Sequence, residues 1–178
     1  PGREAEPHVV RVFSRSGADG ADAQSRALAR AADETARTYM GGDLAARMVF
    51  RLDRFGRGGD HTPFDERGWP AVRMTEPHEA YERQHQDVRV DEDGRAFGDT
   101  VDMTDPAFTA RVARLDLALL GTLASAPRPP ARVAVRGAVR HDTVVTWQAV
   151  AAEDLAGYEI LVRDTTSPVW ERSFFVAA

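Results

Sequence analysis

Residues 57–88 read RGGDHTPFDERGWPAVRMTEPHEAYERQHQDV, and this stretch decides how the chain is expected to fold. Its glycine-rich start indicates a turn. The following TPFDERG predicts one or two helical turns, with Thr62 as the N-cap, Pro63 at the first helical position and Gly68 as the stop. Residues 69–74 then predict a strand. A turn, a short helix and a strand in this order are typical of α/β proteins.

The chain before this stretch has the same alternation. Residues 8–14, HVVRVFS, predict a buried strand because they are short and rich in valine. A helical pattern follows, with Asp22 or Ser25 as its N-cap, and two glycines at 41–42 end it after Met40. Residues 46–52, ARMVFRL, predict a second strand.

The chain after it contains one clear helix, predicted over 104–125. Thr104 is its expected cap, Pro106 falls in its first turn, and one apolar stripe follows the helical period: Phe108, Val112, Leu115, Leu119 and Leu123. Residues 76–100 are polar without a period, so no element is predicted there. The order of elements predicts α/β architecture with a mostly parallel sheet flanked by helices.

A change of pattern marks a second domain. The prolines of SAPRPPARV predict a stiff linker at 127–130, which separates a first domain at 1–126 from a second at 131–178. Four segments of the second domain alternate with period two and predict strands. A sandwich of the immunoglobulin type needs about seven strands. The second domain is therefore predicted to be an incomplete all-β sandwich.

Composition excludes several classes of protein. The chain has 178 residues, a net charge of −5 and a pI near 5.5, which argue against nucleic-acid binding. Because there is no cysteine, disulfides and cysteine-ligated zinc are excluded. No apolar run approaches the ~20 residues of a membrane span. All basic residues are arginine and alanine is abundant, as in proteins of GC-rich bacteria. Since the first residue is not Met, we expect further residues upstream, which leaves localisation open.

Three of the five histidines lie in the quoted stretch, each among carboxylates: His61, His78 and His85. A neutral imidazole is a good zinc ligand. The sequence contains no HExxH or HxH pair, however, so no local zinc motif of the strong kind is present. From the residues alone, each histidine is either a hydrogen-bonded side chain or a ligand.

A resemblance to a known family separates these alternatives. GGDHTPFDERGWPAV followed by HQDV resembles the C-terminal part of the two-zinc aminopeptidases, metallopeptidase family 28. That family has a Gly-Asp-His turn, a small helix, a Gly-aromatic-Pro-Ala strand, and a histidine some two dozen residues later. The resemblance covers about residues 8–125. It implies a zinc exopeptidase-like fold and zinc as the cofactor, with two ions in a complete site.

The resemblance assigns roles to individual residues. His85 matches the histidine that binds zinc, whereas Asp60 and His61 match a pair that supports the site without binding metal. His78 has no counterpart and is predicted to be a surface residue. Asp87, which follows His85 at a shorter spacing than the family shows, or a backbone carbonyl is expected to orient the imidazole. Arg57, or Arg54, is expected to stabilise an oxyanion or contact substrate where relatives supply a tyrosine.

The remaining parts of the family site lie upstream in the family order, so the resemblance places them before Pro1: a His-x-Asp motif, a bridging Asp, a Glu-Glu pair and a further Asp. The resemblance therefore implies that this chain holds one zinc ligand of about five and lacks the catalytic glutamate. The expected function is that of a fragment of a zinc-dependent aminopeptidase. Its expected partners are a peptide substrate and the upstream part of the same protein. A secreted or periplasmic location is favoured by the resemblance.

The second domain resembles the start of a fibronectin type III domain, with Trp147 as its expected core tryptophan. Such a module is a binding or spacer unit. It leaves open a second function, in which a peptidase-like domain and a β module form a non-catalytic scaffold or interaction protein. An upstream coding region with a His-x-Asp and a Glu-Glu would favour the enzyme.

Overall fold

The computed structural model describes residues 6–14, 21–51, 58–137, 139 and 141–178. The chain divides into two compact units, Pro1–Thr122 and Leu123–Ala178. The division falls within the last helix, a few residues before the linker predicted at 127–130. Those four residues are neither helix nor strand.

The first unit has mixed α/β structure, with small sheets and few helices. Its elements in chain order are β1 (Val9–Phe13), α1 (Ala21–Tyr39), β2 (Ala45–Val49), α2 (Thr62–Asp65), β3 (Arg73–Thr75), β4 (Arg89–Val90), β5 (Ala96–Phe97), a 3-10 turn (Val101–Met103) and α3 (Pro106–Ser125), which continues across the division.

The main sheet has the strand order β2-β1-β3. β1 and β2 are parallel, as predicted, but β3 is antiparallel to β1, with Thr75 opposite Arg11. The prediction of a strand at 69–74 was also wrong in its bounds. Pro70 has no N–H to donate, and the N–H of Ala71 is used by the hydroxyl of Ser25 at 3.2 Å, so strand pairing begins only at Arg73.

The core of the first unit lies between one face of this sheet and two helices. On β1, alternate residues Val10 and Val12 are completely buried on that face. They belong to one apolar cluster with residues of α1, of α3 and of the connection between α1 and β2: Ala29, Ala32, Ala36, Met40, Leu44, Leu115 and Leu119. Among the described helices, none is both long and apolar enough to cross a membrane.

The helix starts differ from those predicted. α1 is described from Ala21, so Asp22 and Ser25 both lie inside it. α3 is capped by Asp105, whose Oδ1 accepts from the N–H of Phe108 at 2.9 Å, while Thr104 ends the 3-10 turn.

The polar segment after β3 contains a hairpin that sequence analysis missed. β4 and β5 are antiparallel, two residues each, and Asp91 Oδ1 accepts from the N–H groups of Asp93 and Arg95 in the turn between them. Gly94 has φ 80°, a conformation that favours glycine. The Asp-Gly pair at 93–94 was the available signal.

The second unit has the four predicted strands: β6 (Ala131–Arg136), β7 (Val144–Gln148), β8 (Gly157–Val162) and β9 (Arg172–Ala177). They form two antiparallel pairs, β6 with β7 and β8 with β9, which are not hydrogen-bonded to each other. Between them lies an apolar cleft of about 400 Å³ lined by Trp147, Tyr158 and Ile160 among others. Trp147 is half-buried and packs edge-on against Tyr158, with 5.1 Å between ring centroids. The burial of Trp147 in the core of a complete module stays a prediction.

Candidate metal site

The turn at residues 58–62 leaves little space for a side chain at Gly58 or Gly59. The N–H of Gly59 donates to Thr62 Oγ1 at 3.1 Å, and the N–H of Thr62 donates back to the carbonyl of Gly59 at 2.9 Å. A Cβ at Gly58 would lie 2.5 Å from Thr62 Oγ1, and one at Gly59 would lie 3.1 Å from both the His61 ring and the Arg73 side chain. The turn therefore closes tightly onto the start of α2.

The short helix α2 begins one residue earlier than predicted. His61, and not Thr62, is its N-cap residue, although no side chain makes a capping hydrogen bond there. The His61 carbonyl accepts from the N–H groups of Phe64 and Asp65. Gly68, with φ 78°, follows the helix as predicted. The residues GDH thus turn the chain directly into α2.

A buried hydrogen bond fixes α2 to α1. Ser25 Oγ donates to Asp65 Oδ1 at 2.8 Å, and the same hydroxyl accepts from the N–H of Ala71. Ser25 is completely buried and Asp65 is 9% exposed. One hydroxyl therefore connects α1, α2 and the segment before β3. Sequence analysis missed this pair, because Ser25 was interpreted as a helix cap and Asp65 as an ordinary helix residue.

Of the residues that the resemblance assigned to this turn, Asp60 has an exposed side chain and His61 is half-buried. Arg57 and Arg54, the candidates for contact with an oxyanion, lie outside the described residues. Their assignments stay predictions.

His85 lies on the surface at the end of a turn formed by residues 81–85. Its φ is 54°, in the left-handed region that non-glycine residues rarely adopt. Its side chain is exposed, and neither His85 nor the exposed carboxylate of Asp87 makes a side-chain hydrogen bond or ion pair within the described parts of the chain. The imidazole is therefore available as a ligand, while its orientation by Asp87 stays untested.

The loop that carries His85 starts from an unexpected end of the sheet. Because β3 is antiparallel to β1, the chain leaves Thr75 toward the end at which β1 begins. The Nε2 atom of His78 accordingly lies 3.0 Å from Glu6 Oε1, beside the segment that precedes β1. In a parallel sheet this loop would instead leave the carboxyl-terminal edge, where sites of α/β proteins usually lie. The parallel sheet predicted from the sequence was wrong at β3.

His78, predicted to be a surface residue, is one-third exposed and hydrogen-bonded to Glu6. Glu6 also pairs with Arg47 of β2, and these contacts lower the pKa of Glu6, chiefly through the hydrogen bond from Arg47. The histidine thus connects the loop to the sheet. This role is structural and needs no metal.

Two further carboxylates follow β3. Glu79 is buried, with 2% of its side chain exposed, and pairs with Arg11 at 2.6 Å. Glu76 has its pKa raised, first by burial and then by the negative charge of Glu79. At Glu76 the attraction of Arg11 thus does not outweigh partial burial and the neighbouring negative charge.

The described residues do not assemble a complete zinc site. No group of three or more His, Cys, Asp or Glu side chains that could hold a metal occurs among them. Zinc in proteins takes three or four such ligands. His85 fits the chemistry of one ligand. The others would have to come from outside the described part of this chain.

The sequence of the chain is similar to those of fungal proteins named probable zinc metalloproteases. It is 41% identical to one from Leptosphaeria maculans over 85% of this chain and 35% of that protein. It is 37% identical to one from Pyricularia oryzae over 97% of this chain and 38% of that protein. A third, from Pyrenophora tritici-repentis, is 40% identical over 84% of this chain and 31% of that protein.

The chain thus spans about a third of the length of these relatives. No sequence profile of a protein family matches it. No solved structure matches it either. The names of the relatives agree with the zinc peptidase part of the resemblance, and do not specify an aminopeptidase or a fibronectin type III domain. These relatives are fungal, whereas composition suggested a bacterial source.

Proposed function

We propose that this chain is part of a zinc-dependent exopeptidase, an aminopeptidase that removes the N-terminal residue of peptides. The observation that carries the proposal is the similarity to probable zinc metalloproteases, which extends over 84–97% of the chain. The local structure supports it. Residues 58–75 form the turn, short helix and strand that the resemblance requires, and His85 presents an imidazole without partners in the described chain.

In this proposal His85 binds one zinc ion. A zinc ion held there would supply Lewis-acid chemistry, which activates water and polarises a scissile carbonyl. The other residues named here would contribute by their position in the site. Asp60 and His61 belong to a turn fixed by Thr62 and by the Ser25–Asp65 hydrogen bond, and would form part of the wall of the site. Arg57 is proposed to contact substrate or an oxyanion through its charge.

The other metal ligands and the catalytic base are proposed to come from residues outside this chain, in a longer protein of the size of the relatives. A metal site built from one histidine would bind zinc weakly, because affinity comes from several simultaneous ligands. The peptide substrate and these additional residues are therefore the proposed partners. A secreted or periplasmic location belongs to the same proposal.

The test compares two histidines in the longer protein. His85→Ala should lower bound zinc and the rate of release of an N-terminal chromogenic leucine by at least ~100-fold, since a direct ligand matters more than its supporting residues. His78→Ala is the matched control and should change both by less than about twofold, because an exposed ion pair contributes little. Equal losses in the two variants would refute the assignment of His85.

The alternative is a non-catalytic interaction protein, and the second unit favours it. Phe174 and Phe175 on β9 are 53% and 67% exposed, so the β module presents apolar side chains that another protein could cover. A longer protein that binds no zinc and releases no amino acid, yet retains its fold, would support this alternative over the peptidase.

A further inference from the structure

A carboxylate with a buried side chain lies close to His85 in sequence. The side chain of Glu79 is 2% exposed and lies between Arg11 of β1, at 2.6 Å, and Arg73 of β3, with 3.7 Å between Arg73 Nη2 and Glu79 Oε2. A buried carboxylate is stable only when charges and hydrogen-bond donors compensate its lost hydration. Two arginines from adjacent strands provide that compensation.

The strand register explains how both arginines reach Glu79. Arg11 is opposite Thr75 and Phe13 is opposite Arg73, so Arg11 and Arg73 lie on the same face of the sheet. The other face carries Val10 and Val12 into the core. The chain therefore turns back within four residues of Thr75 to place Glu79 over the face that the helices do not cover.

Glu79 is also connected to the turn that ends at His85. Gln84 Nε2 donates to Glu79 Oε2 at 3.2 Å, and Gln84 directly precedes His85. Two backbone hydrogen bonds close the turn, from Arg83 N–H to the carbonyl of Ala80 at 2.8 Å and from Gly98 N–H to that of Glu82 at 3.1 Å. The positive φ of His85 is an unfavourable conformation that persists only when neighbouring contacts hold it.

We propose that Glu79 is a positioning residue, which fixes the turn 81–85 and with it the imidazole of His85 to strands β1 and β3. The link between Glu79 and the turn stands on the contacts alone. Its consequence for metal binding rests on the proposed function. Glu79 itself touches neither metal nor substrate in this proposal.

The first test uses the 178-residue chain without metal. Glu79→Gln keeps the size of the side chain but removes the charge that Arg11 and Arg73 compensate. Amide hydrogen exchange of Arg83 and Gly98 should become at least about tenfold faster, because the residue that holds the turn loses its ion pairs with β1 and β3. The matched control is Glu82→Gln, whose ion pair with Arg95 at 3.5 Å is at the surface and should leave both rates unchanged.

A second variant separates local positioning from general stability. Gln84→Ala removes only the hydrogen bond between the turn and Glu79, and leaves both ion pairs of Glu79 in place. It should accelerate exchange at Arg83 by roughly threefold to tenfold without changing the midpoint of urea unfolding. If Glu79→Gln does not fold, this variant still decides the question. Unchanged exchange at Arg83 would overturn the proposal.

The third measurement uses the longer protein and its affinity for zinc, determined by competition with a chelator. Glu79→Gln should weaken zinc binding about 10- to 100-fold, and Glu79→Asp should restore part of it, as for other residues that orient a ligand. Wild-type affinity in Glu79→Gln would overturn the positioning role. Absence of zinc binding in the wild type would instead overturn the proposed function, and the exchange results would still stand.

Discussion

The two units of this chain differ in whether their apolar faces are covered. In the first unit, Val10, Val12 and Leu115 are completely buried between a sheet and two helices. In the second unit, no described residue is buried, and Val135 and Phe175 are 68% and 67% exposed. Both units have regular strands with alternating apolar residues. Strands alone therefore do not make a core, which requires a second layer.

The largest effect is expected in the core of the first unit. Leu115→Ala should lower the free energy of unfolding by about 2–5 kcal/mol, because it removes a completely buried side chain and leaves a cavity. Leu117→Ala on the same helix is the control, since Leu117 is 72% exposed, and should cost less than about 0.5 kcal/mol. Urea unfolding measures both. Similar losses would show that α3 is covered on both faces.

A smaller effect is expected from the buried hydroxyl that connects α1 to α2. Ser25→Ala should cost about 1–3 kcal/mol, because Asp65 loses a donor and the N–H of Ala71 loses its acceptor inside the protein. Thr122→Ala removes an exposed hydroxyl bonded to a helix carbonyl and serves as the control. If Ser25→Ala left the free energy of unfolding unchanged, the connection would not stabilise the turn at Gly59.

In the second unit, a substitution at the contact between Tyr158 and Trp147 should lower the free energy of unfolding only slightly. Tyr158→Phe keeps the ring against Trp147 but removes the oxygen that accepts from the N–H of Val150 at 2.7 Å. The expected cost is about 0.5–1.5 kcal/mol, typical of one hydrogen bond. The midpoint of unfolding monitored by tryptophan fluorescence measures it. Losses as large as that of Leu115→Ala would show that the second unit has a closed core in solution.

The smallest effect concerns Glu76 and has a defined pH dependence. Burial and the charge of Glu79 raise the pKa of Glu76 in the folded protein, so the ionised form of Glu76 destabilises the folded state. This destabilisation is fully present above the pKa of the folded state and is absent below the pKa of the unfolded state. Glu76→Gln should therefore unfold at a higher temperature than the wild type at neutral pH. The difference should disappear below about pH 4, where an ordinary glutamate is protonated. An opposite sign at neutral pH would show that Arg11 stabilises the ionised form more than burial opposes it.

Local patterns predicted the elements but only part of the site. Strand β1 and the buried part of α3 were predicted because valine-rich alternation and a helical stripe are visible within a few residues. The turn into α2 was predicted from glycine and proline. The contacts that fix the site were missed, because Ser25 and Asp65 are 40 residues apart in sequence, and Arg11 and Glu79 are 68 apart. No pattern within a short segment of sequence predicts such pairs.

The sequence by itself determined which segments are helical or extended, where the chain changes from α/β to all-β, and which histidine resembles a zinc ligand. These properties depend on periodicity, on glycine and proline, and on motif residues that are close together. Only the tertiary structure decided that β3 runs antiparallel to β1 and that Glu79 folds back between two arginines. Strand direction and charge pairing depend on free-energy differences between whole arrangements of the chain, and short segments do not contain that information.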